Sequence, residues 1–101
     1  MSKIIAEVSL VPMGTGTSLS SYIAQAMKVL RNRGLKHTLT PMCTIIEGEW
    51  GEVLQVVKEM HEAVFAAGVL RVVTTIKVDD RRDKKDISME RKVKSVEEKL
   101  S

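Results

Sequence analysis

Apolar and polar residues alternate from Ile4 to Val11, with Ile4, Ala6, Val8 and Leu10 on one side and Ile5, Glu7, Ser9 and Val11 on the other. This period of two predicts a β-strand with one apolar face beneath helices and one mixed face turned away from them. Pro12 has no N–H to give to a ladder and ends the strand. Gly14-Thr15-Gly16-Thr17-Ser18 follows as a hydroxyl-rich loop that ends in residues suited to cap a helix. The period then lengthens. Leu19, Ile23, Ala26, Met27 and Leu30 recur at helical spacing, Arg31 and Arg33 complement the macrodipole, and Gly34 supplies a left-handed stop, so a helix is predicted from Ser18 to Arg33.

Leu35 to Thr40 reads as a short strand that turns at Pro41-Met42 into a β-branched strand from Cys43 to Glu47. A second helix is predicted from Glu49 to Ala67, with Val53, Val56, Val57, Met60 and Val64 as its buried stripe and Gly68 as its cap. In the last long strand, Val69 to Val78, Val72, Thr74 and Ile76 share one face and Arg71, Val73, Thr75 and Lys77 the other. The order strand, helix, strand, strand, helix, strand contains a faint repeat, Gly34-Leu35-Lys36-His37-Thr38 against Gly68-Val69-Leu70-Arg71-Val72. Two such halves predict an α+β, ferredoxin-like split βαβ (βαββαβ) sandwich, with a four-stranded antiparallel sheet and both helices on one face. Beyond Val78 the run Asp79-Asp80-Arg81-Arg82-Asp83-Lys84-Lys85-Asp86 reads as a solvated linker. Met89, Val93, Val96 and Leu100 then step at helical spacing, a narrow seam on a third helix that has to dock on its own subunit's edge or across a subunit boundary.

A length of 101 residues fits one domain, 1–78 as its core and 79–101 as linker and C-terminal helix, and 44% apolar residues suffice for a packed interior. At 3% aromatic content, bases find few stacking platforms, and a charge of +3 is far from a dense nucleic-acid footprint. The single cysteine, Cys43, excludes an internal disulfide and fits a reducing interior, while no apolar run approaches a membrane span. The expectation is a cytoplasmic protein that engages neither membrane nor nucleic acid.

With both helices on one sheet face, the other is left with Ile5, Val11 and Val73 beside Glu7, Ser9, Arg71 and Thr75. An exposed patch of this kind marks an interaction surface, and a homo-oligomer is expected with any small-ligand site at or near the interface. The same residues also admit a plainer reading, in which Arg71 or Lys77 simply neutralises Glu7. His37 and His61 have no partner at metal-ligand spacing, Cys43 has no evident base, and no nucleophile elbow, Walker loop or dinucleotide fingerprint occurs. No catalytic residue, metal site or cofactor is predicted. Glu47 and Glu49 at the start of the second helix are explained by its dipole, and Tyr22 and Trp50 fall in first helical turns, where they serve as anchors or close over a ring.

Along nearly the whole chain the sequence resembles the small thiamine-binding protein family, single-domain relatives of the YkoF-like hydroxymethylpyrimidine and thiamine binders. The matching features are Pro12 before Gly14-Thr15, Ser18-Leu19-Ser20 with Tyr22, Gly34-Leu35, Pro41-Met42 with Thr44 and Ile46-Glu47-Gly48, His61-Glu62, Gly68 with Arg71, and Asp80-Arg81 with Asp83 followed by Lys92. Cys43 departs from the glycine expected there. The resemblance implies a ferredoxin-like subunit, assembly into homodimers or homotetramers, and binding of thiamine or its pyrimidine part without turnover. A cationic thiazolium and an aminopyrimidine ask for a carboxylate, hydroxyls and a wall, which Glu7, Ser9, Thr44 and Glu47, with Tyr22 as the wall, would supply. The alternative is a regulatory or scaffolding oligomeric module with no small ligand.

Overall fold

A computed structural model describes residues 3–101. The elements run β1 (Lys3–Pro12), α1 (Ser20–Arg33), β2 (Lys36–Leu39), β3 (Thr44–Glu49), α2 (Trp50–Ala66), β4 (Val72–Asp79) and α3 (Met89–Leu100). The strands form one antiparallel sheet in the order β2-β3-β1-β4. This is the ferredoxin-like arrangement expected from the two half-motifs.

The register divides the strands as the alternation requires. Ala6 lies opposite Ile46 and Val78, and Val8 lies opposite Thr44 and Ile76, on the face covered by α1 and α2. There Ile4, Ala6, Val8 and Ile46 pack against Ala26 and Leu30 of α1 and Val53, Val56, Met60 and Val64 of α2, all essentially out of solvent. Gly48 faces the same layer, where an added Cβ would come within 3.2 Å of Leu35 Cδ2 and 3.3 Å of Val53 Cγ2. The small residue lets the start of α2 sit close on the sheet.

Several boundaries differ from the sequence expectation, each for a local reason. Helix α1 starts at Ser20, and the N-cap position is held by Leu19 without a side-chain cap, so the Ser18 hydroxyl does not play that part. Cys43 belongs to the turn because the Thr40 hydroxyl accepts the N–H groups of Met42 (3.3 Å) and Cys43 (3.1 Å), leaving Thr44 to begin β3. Helix α2 begins one residue after Glu49, whose carboxylate accepts from the N–H of Gly51 (2.9 Å) and Glu52 (3.4 Å). Strand β4 opens at Val72, with Met13 N–H already bonded to Arg71 O at 2.8 Å to hold the approach.

The two helices are tied by Arg33, whose Nε donates to Glu59 Oε1 at 2.8 Å while Nη2 reaches Oε2, and Gln55 Nε2 donates to the same carboxylate at 2.9 Å. Gly34 stops α1 at φ 72°, a conformation that disfavours any Cβ. Gly34→Ala is therefore expected to lower the urea midpoint by the equivalent of about 1 kcal/mol with no change in slope.

Candidate functional site

The face turned away from α1 and α2 is built of rows set by register. Val11 lies opposite Val73, Ser9 opposite Thr75, Glu7 opposite both Lys77 and Ile45, and Ile5 opposite Glu47 and Asp79. Its two ends differ. Val11 and Val73 are exposed, whereas Ile5 retains only 9% of its accessible surface. The expectation of a uniformly bare face is thus corrected at the Ile5 end, which the chain's own C-terminal segment closes.

Glu47 organises that closure. It is buried, and its Oε2 lies 2.9 Å from Lys3 Nζ and 3.4 Å from Lys36 Nζ, while Oε1 accepts the Met89 N–H at 2.7 Å. A carboxylate at the first turn of α3 complements both the unpaired N–H groups and the helix dipole. Burial alone would raise the Glu47 carboxyl, but the Lys3 ammonium, the Met89 N–H and Lys36 outweigh it and hold the group below its ordinary value. Lys36 also pairs with Glu90, and Lys92 Nζ reaches Asp79 Oδ2 at 2.5 Å, so the base of α3 is pinned to β2, β3 and β4. Ser88 caps the helix by accepting the Arg91 N–H at 3.1 Å.

The sheet separates the five residues proposed from the sequence. Glu7, Ser9 and Glu47 belong to the open face, and of these Glu47 is enclosed by Lys3, Lys36 and α3. Thr44 lies on the helix-covered face, buried, with its hydroxyl 3.5 Å from Met27 Sδ. Tyr22 packs from α1 against the core, also on the helix side. Glu7 and Ser9 therefore stand as neighbours on β1 with Thr75 beside Ser9, and the Glu7 carboxylate has no ion pair among the described residues.

Sequence reading missed the partners of Glu47, because Lys3, Lys36 and Met89 converge only through topology. It also missed the hydrogen bond between His61 Nδ1 and Thr74 Oγ1, 2.6 Å apart, which ties α2 to β4 with the His61 ring edge-on to Phe65 at 5.0 Å between centroids. A recess of about 780 Å³ opens between the linker and α3, lined among others by Arg81, Lys84, Arg91 and Lys92. Most of its cations already face acids, Arg81 with Asp83, Arg91 with Asp86 and Lys92 with Asp79. No described helix is long and apolar enough to cross a membrane.

The fold and its half-covered sheet face place the molecule among ferredoxin-like α+β proteins. The model of the family described as thiamine-binding protein matches residues 6–97, and the chain belongs to that family. It is 45% identical over 101 residues to YqgV of Bacillus subtilis, covering 95% of this chain and 96% of that protein. A hypothetical protein of Methanocaldococcus jannaschii has a crystal structure that superposes with a TM-score of 0.88 at 41% identity, covering 97% of this chain and 99% of the other. The crystal structure of a Thermotoga maritima protein named as a candidate in thiamine biosynthesis or salvage superposes at a TM-score of 0.79 and 26% identity, covering 93% and 98%.

Proposed function

We propose that this chain binds thiamine, or a compound carrying its hydroxymethylpyrimidine, without turning it over, on the uncovered part of the open sheet face where a second copy of the chain meets it. The observation that carries this reading is the Glu7 carboxylate, free of an ion pair among the described residues and flanked by the Ser9 and Thr75 hydroxyls and the Val11–Val73 pair. A cationic thiazolium complements the carboxylate, and hydroxyls act as donor or acceptor to an aminopyrimidine. Apolar side chains supply the wall, and burying them against another subunit removes exposed apolar surface from water. Membership of the thiamine-binding family and the Thermotoga relative support the same ligand class. Within this reading the protein acts as a carrier, buffer or sensor. The four strands carry no Phe, Tyr or Trp, which disfavours base stacking.

Calorimetric titration with thiamine tests the proposal. Wild type should bind, Glu7→Gln should weaken binding at least about tenfold by removing the charge, and Ser9→Ala should weaken it less. Absence of binding by wild type, or an unchanged affinity in Glu7→Gln, overturns the site. A chain that assembles but gains no thermal stability from saturating thiamine or hydroxymethylpyrimidine would instead be an assembly module.

A further inference from the structure

Helix α3 is the one amphipathic element of the described chain whose apolar seam meets nothing. From Glu90 to Leu100 every residue is exposed, Val93 at 58%, Val96 at 59% and Leu100 at 81%. Only its base is fixed, through Met89, Glu90 and Lys92, so the helix stands off the sheet with its seam in water. The spacing is that of a heptad in which Val93 and Leu100 occupy a positions and Met89 and Val96 occupy d positions. The flanks are sorted by sign. Glu90 and Glu97 fall at e, and Lys92 and Lys99 fall at g.

That sorting selects one occupant and one orientation. In a parallel pair of identical helices a g residue faces the e residue five positions later on the partner, which sets Lys92 against Glu97 twice by symmetry. In an antiparallel pair e faces e and g faces g, so glutamates would meet glutamates and lysines would meet lysines. Lys92 keeps further N–H donors beyond the one aimed at Asp79, so it can serve both acids. The parallel arrangement has a second consequence. Both helix bases, and the sheets to which Glu47 and Asp79 pin them, then lie at the same end of the pair, which leaves the open faces of the two copies free to meet. An antiparallel pair would carry the two sheets to opposite ends.

We infer that α3 is a homotypic docking helix, which pairs in parallel along Met89, Val93, Val96 and Leu100 with α3 of a second copy and so brings the two open sheet faces together. The inference rests on the reading that the open faces meet, but not on which ligand they hold. A seam this short supplies less area than a stable interface needs, and the sheet faces behind it supply the remainder.

The test uses the full chain in a Cys43→Ser background under a glutathione redox buffer. Val96→Cys is expected to give a disulfide-linked homodimer, while Ser95→Cys, one residue off the seam, is expected to remain largely monomeric on a non-reducing gel. A mixture of Val93→Cys and Val96→Cys chains that cross-links better than Val96→Cys alone would show the antiparallel pair and overturn the inference. So would equal cross-linking of Val96→Cys and Ser95→Cys, or none in either. Independently, Glu97→Lys should weaken self-association roughly tenfold, and Glu97→Gln, which removes the attraction without adding repulsion, by less. Unaltered association in Glu97→Lys overturns the charge assignment. The thermal midpoint of the Val93, Val96 and Glu97 variants should match that of the Cys43→Ser background at concentrations low enough to keep the chain monomeric, because those exposed side chains make no hydrogen bond or ion pair among the described residues of the subunit. Thiamine titration reads the ligand separately, so a dimer that binds no thiamine and a thiamine-binding monomer are distinct results.

Discussion

Replacing Ile46 by alanine is expected to lower the unfolding free energy by about 2–5 kcal/mol, the range for truncating a buried aliphatic side chain that leaves a cavity behind. Ile46 has no accessible surface and sits on β3, directly opposite Ala6 of β1 and His37 of β2, on the face that α1 and α2 cover. Its neighbours are held by two sheet ladders and two helices, so the site has little freedom to collapse around the missing atoms. Against a typical total of about 5–15 kcal/mol, the loss is a large share of the whole. Urea denaturation should show a fall in midpoint with an unchanged slope, because the surface exposed on unfolding stays nearly the same. Val93→Ala is the informative control. It removes a comparable aliphatic group from α3, where nothing packs on it within the subunit, and its midpoint should match wild type at concentrations low enough to keep the chain monomeric. A matching loss in both variants would mean that α3 belongs to the subunit core.

The contrast between β3 and α3 also shows where sequence reading succeeds. The alternation in β1 and the helical stripes of α1 and α2 are each local, one face per element, and they placed Ala26, Leu30, Val53, Val56, Met60 and Val64 in the core where the structure has them. The seam of α3 was equally legible as a pattern, but a pattern does not say what it meets. The candidate site was less legible because its residues come from different strands. Alternation puts Glu7 and Ser9 on one face of β1, yet whether Thr44 joins them depends on the register of β3. That register pairs Thr44 with Val8 and turns it toward the helices. Glu47 was visible as an acid near a helix start. The helix it serves is α3, and Met89, its hydrogen-bond donor there, is 42 residues further along the chain.

Glu47→Gln is expected to lower stability at neutral pH by about 1–3 kcal/mol, the range for weakening charge-assisted bonds to a buried group. The cost stays below that of breaking a fully buried ion pair because Lys3 and Lys36 are each about half exposed, at 47% of their side-chain surface, and turn to water when the charge is gone. The sign with pH follows from the direction of the shift. Glu47 is held below its ordinary value in the folded chain, so its contribution is fully present above the unfolded carboxyl's pKa of about 4.3 and is lost as pH falls through the lower folded value. Glu59, Asp80 and Asp83 are also held low by their arginine partners and titrate in the same acid region, but they remain in the variant. The difference between wild type and Glu47→Gln therefore isolates one carboxylate. It should be constant from pH 7 to pH 5 and shrink as the solution is taken toward pH 3. Hydrogen exchange provides a local readout, since the Met89 N–H donates to this carboxylate and should exchange faster in the variant while the amides of β1 are little changed. A difference that does not change with pH would show that the side chain's shape, not its charge, holds the base of α3. If that were so, the helix would keep its place on the sheet below pH 4, and self-association through its seam would persist there. With the charge as the anchor, assembly and the Met89 N–H should both loosen over the same acid range.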